Sequence, residues 1–265
     1  MPANEFKCPD GVNTPIEDCM KACRLGSRCA SRSYLRKAAS QRPWNGTPSA
    51  TQLENGPRME WLRIKNYFAI DPREDMAFAI LGTTAHDHLA TVDDDSLTEQ
   101  RLINQIASGQ FDNYYIENGK GILTDHKTYG AYAVKKFMEG KSQKEVRQLN
   151  FYRLLLQQHG HQVDEMYLEV IVRDGGTYVA KNMGVDKRFY HLPVPFMDDD
   201  ACRAWFQNKK DELCNALVEG FVPRLCNAEE SWEGRRCKDY CQVSEFCKAQ
   251  GDNTWLKEKP KKGDK

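Results

Sequence analysis

A protein of mixed α/β class is predicted by three features of the chain. Residues 108–117 and 122–127 read as two strands joined by Asn118-Gly119, a dipeptide suited to a tight hairpin because both residues tolerate positive φ. Residues 165–173 alternate Met166, Leu168, Val170 and Val172 with other side chains, the period of a further strand. Helical stretches with start signals, notably at 49–54 and 142–158, lie between and around these strands.

Taken in order, residues 30–48 run from a basic helical piece (Arg32, Arg36, Lys37) into the turn-rich Arg42-Pro43-Trp44-Asn45-Gly46-Thr47-Pro48, which marks a boundary. Ser49 with Gln52 makes a capping box for the helix that follows. After the Asp71-Pro72 break, a helix is expected from Arg73 to Leu89, with Gly82 and Ala85 allowing close packing and His86 and His88 near its end. Asp93-Asp94-Asp95 reads as a solvated loop, and residues 97–107 as a short helix. Beyond the hairpin, Tyr129 to Met138 is helical and closed by Gly140. Ser142 and Glu145 then open a helix running to about Gln158 and stopping at Gly160. Gly175-Gly176 turns the 165–173 strand back into 177–180, and a long helix spans residues 198–217.

Composition narrows the function classes. Lys+Arg and Asp+Glu are both 38 in 265 residues, so the net charge is zero and any nucleic-acid surface must be local. The first seven residues lack the apolar core of a secretory signal, and no apolar run approaches the roughly 18 residues of a membrane span. The expectation is a soluble cytoplasmic protein with no membrane partner. Three segments are read: 1–47 with a metal-binding quartet and linker, a core at 48–225, and 226–265 with a second quartet and a basic tail.

Eight of the ten cysteines form two quartets with one spacing, C-x10-C-x3-C-x5-C: Cys8, Cys19, Cys23, Cys29 and Cys226, Cys237, Cys241, Cys247. Four thiolates are what a closed zinc site or a [4Fe–4S] cluster requires. A disulfide framework is disfavoured in a reducing compartment. Zinc sites often use C-x2-C turns and neither quartet has one, so both metals stay open. Cys202 and Cys214 sit among apolar neighbours in a helix and read as packing residues.

The chemistry concentrates at Gly119 to Thr128. On an extended strand Leu123, Asp125 and Lys127 share one face, which places an acid beside a base at the strand tip. Antiparallel pairing across Asn118-Gly119 brings Asp112 next to Asp125, and two converging carboxylates call for a cation between them. Such acids hold a hard divalent ion, and an ammonium beside them can orient water or offset phosphate charge. On the 142–158 helix, Gln148 and Tyr152 are four apart and share a face.

The order Gly82-x3-His86, Asp112, Asp125-His126-Lys127-Thr128 and Gln148-x3-Tyr152 resembles the PD-(D/E)XK nuclease superfamily, in its RecB-like branch, over roughly residues 48–225. The resemblance implies a mixed sheet flanked by helices with the site at the sheet's edge. It also implies Asp112 and Asp125 as metal ligands, His86 as a further ligand, Lys127 as the catalytic lysine, and a ligand role for the backbone carbonyl of His126. Gln148 and Tyr152 fall in the branch's helical motif, which buttresses the site. One departure is that Phe111, not proline, precedes Asp112.

Iron–sulfur members of the branch place one cysteine before the core and three after it. This chain carries a full quartet on each side, which favours two separate sites over one shared cluster. The activity implied is Mg²⁺- or Mn²⁺-dependent hydrolysis of DNA, exonucleolytic rather than site-specific, in recombination, repair or defence, with a helicase or recombination protein as a further partner. An imidazole ligand tilts the metal choice towards manganese. The basic groups Lys135, Lys136, Lys141, Lys144 and Arg147 flank the site helix, and Lys187, Arg188, Lys209 and Lys210 lie later in the chain. Two rival readings remain: an inactive DNA-binding or assembly module of the same fold, and a zinc-rich adaptor.

Overall fold

The structure, a computed structural model, describes residues 3–91 and 95–250. Part of the acidic run at 93–95 and the basic tail at 257–265 lie outside the described residues. The chain begins with β1 (Glu5–Lys7), β2 (Asn13–Pro15), α1 (Ile16–Lys21), α2 (Arg32–Ala39), α3 (Ala50–Leu53), α4 (Pro57–Lys65), β3 (Ala69–Ile70) and α5 (Ala77–Leu89). Next come β4 (Leu97–Thr98), β5 (Arg101–Ile103), β6 (Ser108–Gln110), β7 (Asn113–Glu117), β8 (Lys120–Tyr129), α6 (Ala131–Met138), α7 (Lys144–Gln158) and β9 (Glu165–Val172). The order closes with α8 (Tyr178–Asn182), β10 (Phe189–Pro193), α9 (Asp199–Glu219), α10 (Ala228–Ser231), α11 (Arg235–Asp239) and α12 (Ser244–Ala249). The protein is thus mixed α/β, with mixed sheets flanked by helices. Among the described residues no helix is long and apolar enough to cross a membrane.

The chain divides into two compact units: one gathers Met1–Trp44, Asn55–Asp75 and Asp211–Lys265, the other Asn45–Glu54 and Met76–Lys210. Residues 55–75 and 211–225, read from sequence as part of the central core, cluster with the cysteine-bearing ends. The bonds responsible are long in sequence: Arg58 Nε donates to the Pro223 carbonyl at 2.7 Å and Trp61 Nε1 to that of Ala216 at 3.2 Å. In this first unit β1 pairs antiparallel with β2 and parallel with β3, burying Phe6 and Ile70.

In the second unit a five-stranded sheet runs β10-β9-β8-β7-β4, with β8 and β9 parallel and the other pairs antiparallel. The β7–β8 hairpin turns at Asn118 (φ 51°) and Gly119 (φ 78°), the left-handed pair that such a two-residue turn requires. α6 and α7 carry the chain from β8 to β9 and α7 forms the core: every residue from Glu145 to Leu156 is buried.

A helix buried on all sides must pair its polar side chains internally. Arg147 makes a two-pronged ion pair with Glu54, the shortest contact 2.7 Å, and stacks 4.3 Å over Trp205. Asn150 donates to the Val146 and Pro195 carbonyls, and Arg153 donates to Asp199. Phe151 packs on Phe206 with ring centres 4.3 Å apart.

Three local expectations are corrected. Residues 97–107 form β4, β5 and a turn rather than a helix: Glu99 is left-handed (φ 50°), and the Asn104 side chain accepts from the Ile106 and Ala107 amides, closing a β5–β6 hairpin. Residues after Gly176 do not return as a strand but start α8, capped by Thr177, and the pairing strand is β10. Ser142 does not cap α7 through the backbone; its hydroxyl donates to the Glu145 carboxylate at 2.6 Å. The Ser49–Gln52 capping box forms as read.

Candidate metal centre

β8 is central in its sheet, so its residues from Gly121 to Asp125 are buried between neighbours; from His126 onward the strand emerges and is half-buried. The acid and the base of the strand tip therefore stand at the boundary between core and solvent. Asp125 is 1% exposed, and its Oδ1 has no hydrogen-bond partner in the protein. Its Oδ2 meets the Lys127 ammonium. Burial raises the Asp125 carboxyl to about 6, against the pull of Lys127 and with the push of Asp112. Burial also opposes the Lys127 charge, but Asp125 and Asp112 outweigh it and hold its pKa above the usual lysine value.

Asp112 lies between β6 and β7, one step beyond the Asn113↔Thr124 pair, and so comes beside Asp125. Its Oδ2 accepts from the His126 N–H at 2.7 Å, and its Oδ1 is 3.2 Å from His86 Nδ1. Burial alone would raise this carboxyl; His86 and Lys127 hold it below the usual range. His86 reaches in from the last turn of α5, and its Nδ1 is also 3.6 Å from Glu99 Oε1. Hydrogen bonding to Asp112, then to Glu99, lifts the His86 imidazole to about 10, so its proton supplies positive charge among the acids.

Glu99 is the residue that sequence reasoning missed. It stands between β4 and β5, its amide donates to the Asp112 carbonyl at 3.0 Å, and Gln110 Nε2 donates to its carboxylate. His86, Glu99 and Asp112 offer ligand atoms that all lie within 4.8 Å of one another. No sequence signal marked Glu99, because a helix reading of 97–107 hides a left-handed turn.

Gln148 and Tyr152 meet as expected for an i, i+4 pair, with Gln148 Nε2 donating to the Tyr152 hydroxyl at 2.7 Å. Burial, then the Asp125 charge, pushes the Tyr152 phenol up to about 12, so it stays protonated. Both side chains line a cavity of about 500 Å³ together with His86, Glu99, Asp112, Asp125 and Lys127. Arg101 and Lys144 add cationic groups to its wall. Gly82 also lines it, yet a Cβ there would sit 3.6 Å from Thr128 Oγ1, an ordinary contact, so close packing does not force this glycine.

The His126 side chain is engaged elsewhere. Its Nδ1 is 2.9 Å from Glu169 Oε2, and Glu169 Oε1 is 3.1 Å from His191 Nδ1, three register partners in a row across β8, β9 and β10. What His126 gives the site is backbone: its N–H on Asp112 and its carbonyl, 3.3 Å from Lys127 Nζ.

The donor set fits a divalent cation. It joins carboxylate oxygens to one imidazole, and a buried carboxylate oxygen of Asp125 lacks a partner. Both cysteine quartets belong to the first unit, and among the described residues no three of their sulfurs lie within 4.8 Å of one another. Burial, then Cys8, Cys29 and Cys23, raises the Cys19 thiol; burial, Glu230, Cys237 and Cys241 push Cys226 up to about 12; and Cys247 acts on Cys237. Cys202 is fully buried in α9, in keeping with a packing role.

No family model and no curated protein matches the chain. Among solved structures it is similar to a crystal structure of SSO0001, with 19% sequence identity and a TM-score of 0.48 over 82% of this chain and 93% of that chain.

Proposed function

We propose that the protein is a metal-dependent DNA nuclease with a PD-(D/E)XK core. The observation that carries this reading is the convergence of His86, Glu99, Asp112, Asp125 and Lys127 on one cavity at the end of a hairpin. His86, Glu99, Asp112 and Asp125 would hold Mg²⁺ or Mn²⁺, the imidazole favouring manganese. When bound, the ion supplies Lewis-acid withdrawal of phosphate charge and makes water a nucleophile near neutral pH.

The remaining steps belong to the chain's own groups. The His126 N–H fixes the rotation of the Asp112 carboxylate, so that one oxygen stays turned towards His86. The Lys127 ammonium, held by Asp125, orients the attacking water and offsets charge gathering on the phosphate. Gln148 and Tyr152 form a rigid wall, because their mutual bond and burial leave neither free to swing. Arg101 and Lys144, which line the cavity, would meet neighbouring phosphates, and binding would then weaken with salt.

The test compares wild type with Asp125→Ala on single- and double-stranded DNA, with Mn²⁺ and with Mg²⁺. Degradation by wild type that the variant lacks supports the reading. Equal inactivity of the two, or equal activity, rules it out. Digestion of covalently closed circles beside linear DNA separates exonucleolytic from internal cutting.

A further inference from the structure

The first unit contains a stretch that its apolar packing does not account for. From Cys8 to Cys29 only Thr14 and Cys19 are buried, and the regular structure is limited to β2 and the six-residue α1. Segments this small and this poor in core need disulfides or metals to hold one conformation. Among the described residues Cys8, Cys19, Cys23 and Cys29 form no disulfide.

The stretch nevertheless has a defined shape, built from two matching turns. In Cys8–Gly11 the Gly11 N–H donates to the Cys8 carbonyl at 2.9 Å; in Cys23–Gly26 the Gly26 N–H donates to the Cys23 carbonyl at 3.1 Å. The two glycines have φ of +81° and +82°, so each turn ends in a left-handed residue three places after its cysteine. Arg24 of the second turn ties them together, pairing with Asp10 of the first and donating Nε to Thr14 Oγ1 at 3.3 Å. Thr14 Oγ1 is itself 3.2 Å from Cys8 Sγ. Arg28 donates to the Cys19 carbonyl and, at 3.2 Å, to that of Met20, which fixes the end of α1 beside the second turn. The Cys23 thiol donates to the Ser27 carbonyl at 2.9 Å, which ties its sulfur to the loop that follows the second turn.

We infer that Cys8, Cys19, Cys23 and Cys29 form a structural zinc site of their own, which orders residues 8–29 independently of the carboxylate site and of the second quartet. Four thiolates can hold one redox-inert zinc ion in tetrahedral geometry, and such a closed four-sulfur shell leaves no open position for chemistry. The quartet sits at the surface, with Cys29 exposed, where one compact ion suffices. The second quartet differs in kind: Cys226, Cys237 and Cys247 line a cavity of about 250 Å³. Closing the zinc shell draws the first four sulfurs together, since no three of them lie within 4.8 Å of one another in this structure. The four thiol protons leave on binding, and Arg24 and Arg28 stand beside the resulting negative charge.

The experiment uses the full chain and does not involve nuclease activity. Zinc, iron and labile sulfide are measured per chain in wild type, in a Cys19→Ser/Cys23→Ser double variant and in a Cys237→Ser/Cys241→Ser double variant. The first variant should lose one zinc ion per chain and become cleavable by trypsin at Arg24 and Arg28, while the second keeps that zinc. Zinc unchanged in the first variant, or iron and sulfide lost in its place, overturns the inference. Should the first variant be insoluble, wild type is titrated with a thiol reagent and a zinc-sensitive dye while cleavage at Arg24 is followed. Zinc release that coincides with cleavage supports the site, and cleavage without any zinc release overturns it.

Discussion

The His126 backbone N–H donates to Asp112 Oδ2 at 2.7 Å, so strand β8 orients a carboxylate that belongs to the loop before β7. Asp125, one residue earlier on β8, is thereby fixed relative to Asp112 through main-chain geometry as well as through the hairpin register. The two acids cannot drift apart to relieve their repulsion, and a positive charge must stay with them.

Lys127 at Asp125 and the protonated His86 at Asp112 supply that charge in the metal-free protein. Lys127→Met should cost about 3–5 kcal/mol of stability, the range for breaking a buried ion pair, because Asp125 is left buried without its partner. A divalent cation bound at the acids replaces part of what was lost. The rise in melting temperature on adding Mn²⁺ should then be larger for the variant than for wild type. Equal rises would argue against a cation contacting Asp125.

Glu99 should matter to ion affinity far more than to folding. Its side chain is a quarter exposed, so Glu99→Gln should shift stability by no more than about 0.5–1 kcal/mol. Loss of one ligand charge should weaken Mn²⁺ binding about tenfold, or about 1.4 kcal/mol, in isothermal titration. Unchanged affinity would remove Glu99 from the ligand set.

Gly109 on β6 lies against the site helix. A Cβ there would come within 2.7 Å of Leu155 Cδ1 and Tyr152 Cδ1, both in the buried stretch of α7. Gly109→Ala should cost about 1–3 kcal/mol through overpacking and should displace Tyr152 from the cavity wall. The urea midpoint reports the first effect, and tyrosine fluorescence or a chemical-shift change at residue 152 the second.

Acid stability should depend in part on Glu145. Burial would raise its carboxyl, but the hydroxyls of Ser142 and Tyr129, donating at 2.6 and 2.7 Å, hold it below the ordinary value of 4.5. A carboxyl depressed in the folded state stabilises the protein above its unfolded pKa, and that contribution disappears as pH falls from 4.5 through the folded value. Glu145→Gln should flatten the fall of stability with pH in that window, measured by denaturant unfolding at successive pH values. An unchanged slope would show that those hydroxyls do not favour the charged form.

Much of the site was legible in the chain because it rests on local periods. The Asn118-Gly119 turn fixes the hairpin register, and two-residue alternation puts Asp125 and Lys127 on one face of β8. The 3.6-residue period stacks Gln148 on Tyr152 along α7. Glu99 was hidden for the converse reason. Its place beside His86 depends on a left-handed backbone and on the Asn104 turn, neither of which leaves a periodic trace.

By itself the sequence determined the strand tip with its acid and base, the second acid across the hairpin, and the four-fold repetition of thiols at each end. Only the tertiary structure decided which distant groups join them. Glu54 neutralises Arg147 within the core, Glu99 comes within 4.8 Å of His86 and Asp112, and residues 55–75 leave the central segment to pack with 211–225. Backbone periodicity is a property of neighbouring residues, whereas the burial of a charge is decided by whichever partner the folded chain brings to it.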